Sequence, residues 1–267
     1  MRSDCGDAAV TADTDTLVGA LRYPTRGSKS RDGVVALTVL ALAVAVAARY
    51  ALELYPAAAS LGFVAAIVVA VVAWLGFLGR VLASTVGSEL ATGDGVLVDV
   101  PGDAGELPSF GGVRDLLAAG GRVAVASVPY LAAPFGLLYV TVLGLGGIAS
   151  ESLQGGGEIA LLAGGTVSFL LALAFVYVYP AALCELAATG SVRRALAPWV
   201  FRDVLAHAAY LYAWTAAFSI GILALAAYGS VLTSTGVFGL IAALAAGYAS
   251  AVAARLAGMG YRRARRR

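Results

Sequence analysis

Six long apolar runs dominate the chain, at about residues 34–54, 57–78, 123–148, 159–183, 205–228 and 237–254, and short polar or glycine-rich pieces separate them. A helix needs roughly 20 residues to cross a hydrocarbon core about 30 Å thick at about 1.5 Å per residue. Lipid offers no partner for backbone N–H and C=O groups, so runs of this size must close their hydrogen bonds internally, as helices. The pattern predicts an all-α, polytopic transmembrane helical bundle with six helices in three hairpins. Residues 1–32 form a polar amino-terminal tail, 33–261 the membrane domain and 262–267 a basic carboxy-terminal tail.

Polar positions refine the picture. Arg49 interrupts the first run, where its long stem can snorkel to the interface, and Glu53 one turn later is placed to pair with it. Pro129 and Pro134 fall inside the third run and Pro180 near the end of the fourth; each removes a backbone donor and predicts a kink. In the long connection over residues 81–122, Phe110, Val113, Leu116 and Leu117 share one helical face, with Arg114 and Asp115 off it. That arrangement predicts a short interfacial amphipathic helix leading into the third span.

Arginines set the orientation, because basic loops stay in the cytoplasm. An amino-in arrangement puts every basic loop inside and leaves only Arg49 outside, so charge and hydropathy give the same count of spans independently. The expected location is the cell membrane, multi-pass, with both termini cytoplasmic. The first apolar run reads as a retained signal anchor, since no apolar stretch precedes Cys5.

Composition agrees. Hydrophobic residues make up 60% of the chain and charged residues 13%, against about 25% charged in soluble domains, and the mean hydropathy is +0.87. Lys29 is the only lysine among 18 basic residues, a bias that points to a GC-rich genome, and the early acidic positions Asp4, Asp7, Asp13 and Asp15 hint at a halophile. The two cysteines, Cys5 and Cys184, have neither the spacing nor the histidine neighbours of a metal or redox site.

Two pairs of blocks resemble each other: Glu89-Leu90-Ala91-Thr92-Gly93 and Glu185-Leu186-Ala187-Ala188-Thr189-Gly190, then Val113-Arg114-Asp115-Leu116-Leu117-Ala118 and Phe201-Arg202-Asp203-Val204-Leu205-Ala206. Both follow an inward-going helix, the pattern of a parallel internal repeat.

Further motifs carry a family resemblance: Gly79-Arg80-Val81-Leu82, then Glu106-Leu107-Pro108-Ser109-Phe110, a span opening with Tyr130 and Pro134, and Tyr179-Pro180-Ala181-Ala182-Leu183. In that order, with Ala253-Ala254-Arg255-Leu256 and the stretch from Gly258 to Tyr261 closing the chain, the sequence resembles an archaeal, mainly haloarchaeal, membrane family catalogued as domain of unknown function 4013. The resemblance spans about residues 33–261. The chain departs from the family pattern in having Gly111-Gly112 in place of an Asp-Trp pair, and in an insertion before the Leu-Pro. The resemblance implies topology and host class, and no activity.

No phosphate loop, His-Glu-x-x-His, Gly-x-Ser-x-Gly or paired-cysteine motif is present, so no catalytic residue, cofactor or metal ligand is expected. By the span limits above, every Asp, Glu and Arg lies at or beyond a helix end, which argues against ion-coupled transport. Pro129, Tyr130, Pro134, Tyr177, Tyr179, Pro180 and Tyr210 belong to the region richest in hydroxyls and aromatics. They line a cavity at the helix bends or form an interfacial belt with interhelical hydrogen bonds. Arg114, Asp115, Arg202 and Asp203 either cap helices or bind a lipid headgroup or cytoplasmic partner. Expected partners are membrane lipids, with anionic headgroups drawn to the basic face, and a membrane protein or second copy of the chain; nucleic acid is not expected. Two roles remain: a non-catalytic membrane scaffold or accessory subunit first, and a permease or lipid-handling protein for an uncharged or lipid-like substrate second.

Overall fold

A computed structural model describes residues 17–25, 28–87, 107–108, 110, 112–150, 157–234 and 236–266. Among these residues there is no strand, and six helices are long and apolar enough to cross a membrane. The protein is a multi-pass, all-α bundle. From residue 28 onward its described α-helices are α1 (Ser28–Glu53), α2 (Ala59–Val86), α3 (Val113–Ser150), α4 (Gly157–Thr189), the short α5 (Val192–Ala195) and α6 (Arg202–Leu205), then α7 (Ala208–Thr233) and α8 (Gly236–Arg265). Successive spans run antiparallel, so the arginine-bearing ends gather on one side, the basic end. The last hairpin, α7 with α8, is the most extensively packed, and α8 also lies against α1, α2 and α4.

The helices extend beyond their hydropathic cores at the basic end. The fourth continues to Thr189 because Ala187 and Ala188 stay buried, and it stops at Gly190, whose φ of 65° suits glycine and whose amide returns to the Leu186 carbonyl at 2.7 Å. The sixth continues through Arg265 because Leu256, Ala257, Tyr261 and Ala264 keep one face apolar. Residues 262–265, expected in a tail, are therefore helical. His207 caps the start of α7, its Nδ1 accepting from the Ala209 amide at 3.1 Å.

The segment expected as a separate interfacial helix is instead the first turn of α3, unbroken into the span. Continuity has a packing cause. Gly76 of α2 and Gly120 of α3 let the two backbones touch, and a methyl group at either would run into the Leu116 or Val72 carbonyl across the interface. The repeat blocks also differ locally, since Val113 opens the long α3 whereas Phe201 precedes the isolated α6; the block at Glu89 lies outside the described residues.

Part of the expected polar tail is docked. Residues 17–22 are helical, Ala20 and Tyr23 are buried, and the Arg255 guanidinium sits 4.3 Å above the Tyr23 ring. The Tyr23 hydroxyl is 3.4 Å from Ser84 Oγ, and the Tyr248 hydroxyl donates to the Leu21 carbonyl. Burial raises the Tyr23 phenol above its usual range, so it stays a neutral donor.

Candidate functional site

Pro180 organises the interior. Lacking an amide hydrogen, it cannot bond the Val176 carbonyl one turn back, and its ring pushes the neighbouring rung open. Two aromatic residues one turn apart on α7 repair the gap. Trp214 Nε1 donates to the Val176 carbonyl at 3.2 Å, and the Tyr210 hydroxyl donates to the Tyr177 carbonyl at 2.9 Å while also meeting the Ala181 amide. The Tyr210 oxygen thus lies against the backbone of both Tyr177 and Ala181, one rung from the proline. The Tyr177 ring packs edge-on against both Tyr210 and Trp214, at 5.3 and 5.0 Å between centroids.

Below this brace, tyrosines reach the loop at the basic end. The Tyr177 hydroxyl donates to the Leu205 carbonyl at 2.6 Å and the Tyr130 hydroxyl to the Ala195 carbonyl at 2.7 Å. Between α3 and α4, Ser127 Oγ and the Tyr179 hydroxyl lie 2.9 Å apart, as do Thr141 Oγ1 and Ser168 Oγ. In a bilayer such pairs are a main source of helix association.

A cavity of about 570 Å³ lies beside the kink, and all six spanning helices contribute to its wall. Val44 comes from α1, Trp74 and Leu78 from α2, Val123 from α3, Tyr179 and Pro180 from α4, Trp214, Phe218 and Tyr228 from α7, and Ser250 and Ala254 from α8. On α7 the wall runs from Trp214 to Tyr228, about 21 Å of helix at 1.5 Å per residue. Toward the basic end it adjoins a buried apolar cluster that includes Val86, Phe201, Leu256 and Tyr261 and shares Leu82, Trp214, Ala217 and Ala257 with the wall. In the other half, Val71 and Leu225 line the cavity while remaining 41% and 70% exposed, so its wall continues into the lipid-facing surface. The wall is mainly apolar; of the hydroxyls in it, that of Tyr179 is spent on Ser127 and that of Ser250 on the Ala246 carbonyl.

Next to this apolar cluster stands a buried carboxylate. Glu185, fully buried in α4, has Arg265 Nη1 at 2.5 Å from Oε2, and the Tyr261 hydroxyl donates to that same oxygen. Arg194 Nη2 lies 2.9 Å from Oε1 as an ion pair, though no hydrogen bond among the described residues is aligned on that oxygen. One carboxylate shared by two guanidinium groups ties α4, α5 and the end of α8 together. Burying a carboxylate is costly unless partners of this kind meet it.

Of the residues expected around a cavity, Tyr179 and Pro180 line it, Tyr130, Tyr177 and Tyr210 brace the helices around it, and Pro129 and Pro134 are in α3 away from its wall. Arg114 and Asp115 are exposed in the first turn of α3, and Arg202 and Asp203 pair at 3.5 Å, both exposed, on α6. An acidic residue in a first helical turn favours the helix dipole. Glu185 escaped the sequence reading because the hydropathic span ends two residues before it; a lone carboxylate within Leu183-Cys184-Glu185-Leu186-Ala187, with Arg193 and Arg194 one short loop later, was the available signal.

The family model described as Protein of unknown function (DUF4013) matches residues 61–233, from within α2 to the end of α7. No curated protein and no solved structure matches the chain.

Proposed function

The chain belongs to this DUF4013 family, whose function is unknown, and we propose that it is a lipid-handling membrane protein, holding an uncharged lipid-like molecule in the cavity between its six spanning helices. One observation carries the reading: an apolar cavity about 570 Å³ in volume whose wall continues at Val71 and Leu225 into the lipid-facing surface. Ligand pockets have volumes of about 300–1,000 Å³ and apolar walls. An acyl or isoprenoid chain entering from the bilayer keeps its apolar surroundings, whereas an ion would be unpaired there.

The positive-inside rule supports a cell-membrane protein whose basic end is cytoplasmic, with both termini on that side. The mouth of the cavity then opens to the outer leaflet. The arginine bias and early acidic residues belong to the same proposal as marks of a haloarchaeal host.

Gly221 provides the test, because a side chain built there meets only open space and the residue lines the cavity. Mass spectrometry of the protein in native-lipid discs should find one lipid-like molecule per chain in the native protein and none in Gly221→Leu. Equal lipid retention by both would refute the reading. A scaffold or accessory role has separate support in Gly164 and Gly165 of α4, where an added side chain meets no protein atom and a second helix could approach closely. A stoichiometric protein partner with no bound lipid in the same discs would favour it.

A further inference from the structure

We infer that the cavity's ligand carries one neutral, hydrogen-bond-accepting head group, an ester, ether or hydroxyl oxygen, held by Trp74 and Tyr228, with its hydrocarbon chain running toward the basic end; this rests on the lipid-handling reading. Most polar atoms in the wall are already paired. The Tyr179 hydroxyl is bonded to Ser127 at 2.9 Å, Trp214 Nε1 to the Val176 carbonyl at 3.2 Å and Ser250 Oγ to the Ala246 carbonyl at 2.6 Å. Trp74 and Tyr228 also line the cavity, with their rings edge-to-face and centroids 6.2 Å apart. Among the described residues neither makes a hydrogen bond with the protein. An indole N–H is a donor only, a phenol can donate or accept, and both normally find partners when taken out of water. In hydrocarbon an unmet donor costs more, since no solvent replaces the partner.

The pair also stands at the mouth. Val71 and Trp74 are three residues apart on α2, and Leu225 and Tyr228 three apart on α7, so on each helix the lipid-facing residue and the polar residue share a face. From Trp74 toward the basic end, α2 offers only Leu75, Leu78, Gly79 and Leu82 to the cavity. A chain is accommodated there and a second head group is not. The head must be neutral because no charged side chain lines the cavity, and the guanidinium groups of Arg194 and Arg265 are held by Glu185.

Tryptophan fluorescence tests this with brominated methyl stearate, brominated octadecane and brominated stearate as quenching probes. Trp199→Phe removes the exposed loop tryptophan and leaves Trp74 and Trp214, both in the wall, as reporters. The ester should quench saturably at a concentration about eightfold below the hydrocarbon, the equivalent of two bonds of ~0.6 kcal/mol each. Replacing Trp74 and Tyr228 by Phe should abolish that advantage while Trp214 still reports hydrocarbon binding; Tyr228→Phe alone, which removes a single oxygen, should reduce it. Equal binding of ester and hydrocarbon, preference for the carboxylate, or an ester advantage that survives both substitutions would overturn the head-group inference and leave the cavity reading standing. Absence of saturable quenching by all three probes would overturn both.

Discussion

If Tyr210 is present to repair the rung that Pro180 opens, its value must depend on the proline. Tyr210→Phe removes one oxygen and keeps the buried ring, so packing changes little and the loss is that of a donor to the Tyr177 carbonyl and a neighbour to the Ala181 amide. Interhelical hydrogen bonds in membrane proteins average about 0.6 kcal/mol and reach about 1.7. The value expected here is toward the top of that range, because Pro180 takes one amide out of this turn and no water replaces it in the bilayer. The expected cost is about 1.5 kcal/mol. In a Pro180→Ala background the amide of residue 180 is restored, the 177–181 rung can close, and the same substitution should cost about 0.5 kcal/mol or less. The cycle therefore predicts a coupling of about 1 kcal/mol, within the range for residues in direct contact. Unfolding by sodium dodecyl sulfate titration in mixed micelles, followed by circular dichroism, measures all four proteins. An equal cost in both backgrounds would show that the hydroxyl owes nothing to the proline.

Other outcomes follow from the same geometry. Glu185→Ala removes the shared partner of Arg265, Arg194 and Tyr261 and should destabilise by about 1 to 3 kcal/mol in the same assay, the two arginines being partly exposed and open to water, with Glu185→Gln milder; an Ala variant within about 0.5 kcal/mol of the native protein would show the cluster to be idle. Gly120→Ala drives a methyl into the Val72 carbonyl and should destabilise, whereas Gly221→Ala should be neutral or stabilising; thermal unfolding in detergent distinguishes them, and a reversed order would contradict the packing of α2 on α3. For topology, Cys184 is fully buried and its silence toward a thiol reagent carries no information on sidedness. In a cysteine-free background, Tyr55→Cys should react with an impermeant maleimide on intact cells and Trp199→Cys should not, both positions being more than 70% exposed; the opposite pattern would invert the orientation.

Much of the architecture was legible in the sequence because lipid imposes a simple rule: long apolar runs become helices, and the arginines collect on one side. Limits were less legible. Hydropathy stops at residue 254, yet α8 continues through Arg265, because a helix needs only one apolar face once it has protein to lie against. The same blind spot hid Glu185, whose partners Arg265 and Tyr261 are distant in sequence. Pro180 and its neighbouring tyrosines could be singled out from spacing, but that Tyr210 and Trp214 serve the kink depends on how α7 stands against α4. The polarity of the cavity was similarly hidden. A hydroxyl in sequence is equally a wall group or a spent donor, and only the pairing of Ser127 with Tyr179 or Tyr130 with Ala195 decides.

A lipid-like molecule inside the bundle would lie within reach of several helices at once. Photolabelling with a fatty-acid methyl ester bearing a diazirine along its chain, followed by peptide mass spectrometry, tests for it most directly. Adducts should concentrate on wall residues of several helices, such as Leu78, Tyr179, Phe218 and Ala254, and be competed by excess unlabelled ester. Adducts confined to outward-facing residues such as Val39, Phe169 and Phe238, with no competition, would contradict a ligand inside the bundle.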